Sequence, residues 1–293
     1  HVELSTKTKI FCSCENDFGA EPNTHCCPVC VGHPGTLPKI NRQVVNFAVK
    51  AGLATNCKIN LRSKMDRKNY VYPDLAKAYQ ISQFEIPICK DGFVDLSSGK
   101  KIRINRIHME EDAGKLVHNG GDVYIDYNRG GVPLIEIVTE PDISSSDEAK
   151  EYVEKLQNIL RYAGVSDCKM QEGSMRCDVN ISVKPEGSEK FGTRTEIKNM
   201  NSITFMTKAI DYEYERQIDL VESGEEVIQQ TLRYCEATNS TESMRSKEDA
   251  QDYRYFRDPD LVEIVLTEEE VEKIKESLPE MPGDRLKRYV SEL

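Results

Sequence analysis

The sequence predicts an α+β protein built on an antiparallel or mixed sheet. Three observations lead to this reading. Helical periodicity is confined to a few separated segments. The long stretches between them alternate apolar and polar residues and are broken by turn residues. Helices and strands do not alternate one for one, as a parallel βαβ sheet requires. With 293 residues, 38% hydrophobic and 30% charged, the chain can bury a sizeable core in one large domain or two ordinary ones.

The chain opens in a strand-like pattern at His1 and closes on a charged helical segment, RLKRYVSEL, so a fragment of a longer protein is expected. PKINRQVVNFAVKAGLATN (38–56) reads as a helix, because Val44, Val45, Phe47, Ala48, Ala51 and Leu53 form one apolar stripe. The next stretch is strand-rich. KDG (90–92) and SSGKK (97–101) read as turns between alternating runs, which implies hairpins and antiparallel pairing. A second helix is expected at about 146–163, with Ser145 and Glu148 as a capping box and Gly164 as its stop. Strands follow at about 175–184 and 193–198, then a third helix at about 202–222 that ends at Gly224. The segment 235–258 is polar and aperiodic and reads as a long loop. Thr267 and Glu270 open a short helix, and LPEMPGD (278–284) reads as a linker. Residues 1–277 are thus assigned to one domain, and 278–293 to the linker and the start of another.

FCSCENDFGAEPNTHCCPVC (11–30) holds five of the ten cysteines. Cys12, Cys14, Cys27 and Cys30 have the spacing C-x-C-x12-C-x2-C, two close pairs that can converge tetrahedrally on one Zn2+. A disulfide reading suits an oxidising compartment, and a redox Cys-Pro-Val-Cys belongs at a strand-to-helix turn, whereas the surroundings here are loop-like. Cys26 is a spare thiol, and His25 or His33 can replace one ligand. Four thiolates leave no open coordination position, so this zinc is structural and holds residues 11–35 as a loop.

No apolar run approaches the ~18 residues of a membrane span, and the N-terminus lacks a secretory pattern, so a cytoplasmic protein is expected. The formal net charge of −11 argues against a broad grip on a nucleic-acid backbone. Any such contact is local or made by another module. SSGKK and DAGKL contain Gly-Lys pairs but lack the upstream glycine and the following Ser or Thr of a phosphate-binding loop. Neither a G-x-G-x-x-G loop nor a G-x-S-x-G elbow is present.

The chemistry points instead to acids on strands. In RCDVNISVK, alternation puts Arg176, Asp178, Asn180 and Ser182 on one face and Cys177, Val179, Ile181 and Val183 on the other. In RTEIK, Arg194, Glu196 and Lys198 share a face. VPLIEIV is apolar on both faces except for Glu136, and a buried carboxylate needs a cation, a metal or a proton. RIHMEEDAG ends in Glu110, Glu111 and Asp112, with Glu111 following Ile107 and Met109 along the apolar side. Charged alternation on any one strand usually marks a solvated face. Several acids with Arg176, Arg194 and Lys198 on one sheet face, however, supply what a Mg2+-nucleotide site requires.

Together HVEL, FGAEPN, HPGTLP, DRKNYVYPDLAKAYQISQF, RIHMEEDAGK, PLIEIVTEPD, EGSMRCDVNIS, RTEIKNMNS, MRSKE and DYRYF resemble the B-subunit family of the bacterial-type aspartyl/glutamyl-tRNA amidotransferases, over essentially the whole chain. The resemblance implies a catalytic cradle similar to the glutamine synthetase fold, without the helical and tRNA-binding tail domains that follow it in the family. It implies ATP and Mg2+ as cofactors, the glutaminase (A) and small (C) subunits of such an enzyme as partners, and mischarged tRNA as substrate, gripped mainly by the tail. By motif, His1, Glu111 and Glu136 hold the metal, with Glu196 and Asp178 close by. Arg176, Arg194 and Lys198 face phosphates, Lys198 alternatively steering ammonia, and Arg245 and Lys247 close over the nucleotide. Two departures stand out. The Gly-Leu-Glu-Val run that usually precedes this strand is missing, and Arg257 follows DYRYF where the family often has proline. The zinc cysteines occur in only part of the family. Two rival readings are a non-catalytic, zinc-stabilised scaffold and a free-standing ATP-dependent carboxylate-amine ligase.

Overall fold

The computed structural model describes residues 1–200, 202–246 and 252–292. In chain order the elements are β1 (Val2–Glu3), α1 (Arg42–Ala54), β2 (Lys58–Ile59), β3 (Arg62–Ser63), β4 (Asp66–Asn69), β5 (Tyr79–Ser82), β6 (Cys89–Asp95), β7 (Lys101–Glu111), β8 (Lys115–Asn119) and β9 (Asp122–Asp126). There follow β10 (Pro133–Thr139), α2 (Ser146–Tyr162), β11 (Cys177–Ile181), β12 (Thr195–Met200), α3 (Ile203–Glu222), β13 (Gln230–Cys235) and β14 (Ser240–Ser246). The last are β15 (Phe256–Arg257), β16 (Ile264–Val265), α4 (Glu268–Glu276) and α5 (Pro282–Glu292). The mixture of helices with antiparallel and mixed sheets is the α+β class the sequence predicts. Two compact units divide the chain: residues 1–140, 156–168 and 252–293 form the first, and 141–155 with 169–251 the second.

The first unit is organised by a five-stranded sheet in the order β1-β10-β7-β6-β2, antiparallel throughout. Helix α1 buries Val44, Val45, Ala48 and Val49 and starts at Arg42, because the Asn41 side chain caps it by accepting from the Gln43 amide. The predicted turn at 97–101 joins β6 to β7. KDG, read as a second turn, instead lies inside β6: Asp91 takes φ 54° there, a left-handed conformation that aspartate tolerates, and the chain does not reverse. At the same level the β7–β10 ladder slips by one residue, with Val138 opposite Arg106 and Thr139 opposite Ile104, so Asn105 is extra. This bulge resets the alternation of β7, and Ile102, Ile104, Ile107 and Met109 are all fully buried.

The first unit also contains a sheet in the order β15-β4-β5 and the pairs β16-β3 and β8-β9. Thr267 and Glu270 cap α4 reciprocally, as their spacing predicts. The expected linker is shortened at its end, since Pro282 occupies the first turn of α5.

The second unit carries a four-stranded sheet in the order β11-β12-β13-β14, parallel only between β12 and β13. Helix α3, capped by Ser202, connects the parallel pair. The loop expected at 235–258 is corrected here: β14 is a strand hairpinned onto β13, and β15 pairs with β4. STESMRS shows no apolar alternation because β14 is an edge strand. Of α2's expected capping box, Ser145 accepts from the Glu148 amide as predicted, but the Glu148 carboxylate turns to Ser144.

Candidate active site

The central strands of the first unit bring two acids and two imidazoles together. In β7, His108 and Glu110 share a face, and the register places His108 opposite Glu136 and Glu110 opposite Leu134 of β10. His1, next to β1, completes the group. Its Nδ1 is 2.7 Å from Oε1 of Glu110, and its Nε2 is 3.8 Å from Oε1 of Glu136. The ligand atoms of His1, Glu110 and Glu136 lie within 4.8 Å of one another, a set of two carboxylates and one imidazole that fits a divalent cation. Glu110 is 4% exposed and Glu136 half-buried. Burial opposes the charged form of Glu136, yet the His108 hydrogen bond and the charges of His108, His1 and Lys68 bring its carboxyl down to about 2. Glu136 is therefore held anionic.

Glu111 points to the other side of β7. Its carboxylate is buried, accepts from the Lys77 ammonium, and accepts from the Ile81 amide at 2.9 Å. Gln80 donates to the Glu111 carbonyl at 2.7 Å, so Glu111 is engaged at both ends by β5 and the turn before it. The structure does not bring Glu111 to His1 and Glu136; Glu110 occupies that place.

Asp178, Glu196 and Lys198 form a group in the second unit. Lys198 Nζ lies 3.4 Å from Oε1 of Glu196 and 3.8 Å from Oδ2 of Asp178, and Thr231 donates to the other Glu196 oxygen. Arg176 is half-buried just before β11, and Arg194 is exposed just before β12. Arg245 lies on β14 opposite Thr231 in the ladder, and Lys247 falls outside the described residues. The expectation of a single acidic sheet face is corrected: these groups belong to two different sheets. Alternation tells which residues share a face of one strand, but not which strands are neighbours.

The cysteines converge as their spacing predicts. Cys30 Sγ lies 3.6 Å from Cys12 Sγ, 3.9 Å from Cys27 Sγ and 3.9 Å from Cys14 Sγ. Tetrahedral zinc with ~2.3 Å bonds to sulfur sets sulfur–sulfur separations of ~3.8 Å, so the four thiols fit the ion. All ten cysteines are free thiols. Lys9, although fully buried, reaches Cys30 Sγ at 3.4 Å and the Tyr127 carbonyl at 3.1 Å. The Cys12 hydrogen bond, working against burial, and the Lys9 charge bring Cys30 down to about 4. Burial first, then the charge of Cys30, pushes Cys14 up to about 11. Cys26 stays outside the group, its thiol donating to the Asn23 carbonyl.

Two site residues escaped the sequence reading, Glu110 as the partner of His1 and His108 as the partner of Glu136. Period-two alternation already groups His108 with Glu110. The missing information was the register between β7 and β10.

Fold and sites together define an α+β protein with a four-thiol knuckle and a separate carboxylate-imidazole centre suited to a divalent cation. The chain belongs to the GatB/GatE catalytic domain family, whose model matches residues 1–272. It is 60% identical over 294 residues to the B subunit of the aspartyl/glutamyl-tRNA(Asn/Gln) amidotransferase of Ruminiclostridium cellulolyticum, covering 99% of this chain and 61% of that protein. The corresponding B subunits of Thermoanaerobacter pseudethanolicus and Caldicellulosiruptor saccharolyticus are 58% and 57% identical, each over 100% of this chain and 62% of their own length. The chain thus spans about three fifths of the curated relatives it matches. Among the described residues no helix is long and apolar enough to cross a membrane.

Proposed function

We propose that the chain is the catalytic cradle of a tRNA-dependent amidotransferase, with a core similar to the glutamine synthetase fold. The reaction begins when the γ-phosphoryl group of ATP passes to the side-chain carboxylate of glutamate or aspartate mischarged on tRNA, giving an acyl phosphate and ADP. Ammonia, released from glutamine by a partner glutaminase, then displaces inorganic phosphate and leaves the amide. A carboxylate is a poor acyl donor, and phosphorylation supplies the leaving group that ammonia needs.

His1, Glu110 and Glu136 are the residues to hold Mg2+, which when bound offsets the charge on the transferring phosphoryl group. Glu111, matched by motif to the metal, is assigned instead to the Lys77 pair. Asp178 and Glu196 supply further acids. Arg176, Arg194, Arg245 and Lys247 are assigned to the phosphates, and Lys198 to the phosphates or to ammonia. Cys12, Cys14, Cys27 and Cys30 take a structural Zn2+ whose full set of thiolates keeps it out of the chemistry. The glutaminase and the small third protein complete the complex in the cytoplasm, and mischarged tRNA is its substrate.

The observation that carries this reading is the convergence of His1, Glu110 and Glu136 in a chain of this family. The test is ATP cleavage by the assembled complex with mischarged tRNA, comparing the parent with Glu136→Gln. Loss of tRNA-stimulated cleavage in the variant supports the assignment. Undiminished cleavage refutes it and favours a scaffold. Cleavage stimulated equally by free glutamate favours a small-acid ligase.

A further inference from the structure

His108 has a geometry that a core histidine does not need. It lies on β7 directly opposite Glu136 and is 8% exposed. Its Nε2 is 3.0 Å from Oε2 of Glu136 and 4.0 Å from Oε2 of Glu110. The other oxygen of each carboxylate, Oε1, is the one that approaches His1. The two acids are thus shared out, one oxygen to each imidazole. Donation to Glu136 requires the proton on Nε2, and Nδ1 is then left buried without a hydrogen-bond partner. A buried polar atom with no partner costs stability, so this ring is not placed by packing preference alone.

A glutamate carboxylate turns freely about its last bond and can meet a cation through either oxygen or both. A donor fixed on one oxygen removes that freedom and presents the other in a single orientation. Histidine and carboxylate partners that orient metal ligands act in this way. We propose that His108 is a positioning residue: by binding Oε2 of Glu136, it holds Oε1 toward His1 and Glu110 and so sets the affinity of the site for a divalent cation. This rests on the metal reading of that cluster given above.

The test uses the full-length protein in its assembled, zinc-loaded complex, with Mn2+ as probe and free Mn2+ counted by electron paramagnetic resonance. The relevant site is the one lost in Glu136→Ala. His108→Leu removes both ring nitrogens, whereas His108→Gln returns an amide N–H near the Nε2 position. The expected result is a Mn2+ dissociation constant raised about 10- to 100-fold in His108→Leu, with most of the loss restored in His108→Gln. Affinity unchanged in His108→Leu, or equally weakened in both variants, overturns the proposal. Should His108→Leu fail to fold, His108→Asn replaces it, because its amide mimics Nδ1 and does not reach Glu136. Tight binding in Asn equal to that in Gln then overturns the proposal. A parent complex that binds no Mn2+ at all overturns the metal reading itself, and this inference with it.

Discussion

Glu213 tests the account of the second unit most directly. It sits on α3, fully buried, and its carboxylate accepts five hydrogen bonds. Arg216 donates from Nη2 at 2.7 Å and from Nε at 2.8 Å, Thr195 and Gln217 each donate at 2.9 Å, and Thr241 donates at 3.0 Å. One side chain therefore ties the helix to β12 and β14. In Glu213→Ala, Arg216 can turn to water because its side chain is 27% exposed, and Gln217 keeps the Ile181 carbonyl and Thr195 Oγ1 as acceptors, but the fully buried Thr195 hydroxyl loses the acceptor of its proton. One buried hydroxyl left short of a partner at ~1–3 kcal/mol, with the cavity left by the truncated buried side chain and the lost ion pair, gives about 3–5 kcal/mol. Glu213→Gln keeps the volume and loses the charge, so a smaller cost is expected. Urea unfolding of the intact chain, followed by circular dichroism, reads the effect. With a slope of about 1.5 kcal/mol/M, the midpoint of the transition that carries the second unit falls by about 2–3 M in the alanine variant. A shift below about 0.5 M would refute the reasoning. The sign with pH also follows. Burial raises the Glu213 carboxyl, but hydrogen bonds from Arg216 and Gln217 outweigh it and the net shift is downward. Its stabilisation is complete above the ordinary glutamate value of ~4.3 and is lost as pH falls through the depressed folded value.

Three further outcomes are expected. Cys30→Ser lowers zinc content from about one ion per chain toward zero by elemental analysis and exposes residues 11–35 to proteolysis; zinc retained at full stoichiometry would count against the four-thiol site. Gly92→Ala places a methyl group against Cys57 Sγ and 2.7 Å from the Thr55 carbonyl. It costs about 1–3 kcal/mol and lowers the melting temperature by several degrees, and adding Cys57→Ala restores only part, since the carbonyl remains. Thr267→Ala removes one half of the α4 capping box and costs about 1 kcal/mol, read as roughly fivefold faster hydrogen exchange at the amides of residues 269–271.

Much of the fold was legible wherever a local rule acted alone. Thr267 marks a helix start because its side chain accepts a bond from an amide of the first turn. Gly164 and Gly224 mark stops because both take positive φ. What failed was decided by distant partners. β14 was hidden because its strand character comes from pairing with β13, not from burial of its own side chains. KDG was misread because a turn-forming composition also suits a distortion within a strand. The candidate site divides in the same way. A lone acid in VPLIEIV announced Glu136, and the cysteine spacing announced the knuckle. The choice of Glu110 over Glu111 depended on the register between two strands far apart in sequence, which no local pattern records.

The extra residue at Asn105 gives β7 a reading frame. Loss of Asn105 itself restores unbroken alternation, with Ile102 and Ile104 still inside and Glu110 and His108 still beside Glu136, whereas loss of Ile104 is absorbed only by turning Asn105 into the core. Length changes in this part of the molecule are therefore accommodated at two places, the bulge at Asn105 and the tip of the β6–β7 hairpin at Ser97–Lys100, where Gly99 sits in open space. Substitutions along β7 alter one contact at a time, whereas an inserted residue that no second bulge absorbs exchanges the oily side of the sheet for the acidic one.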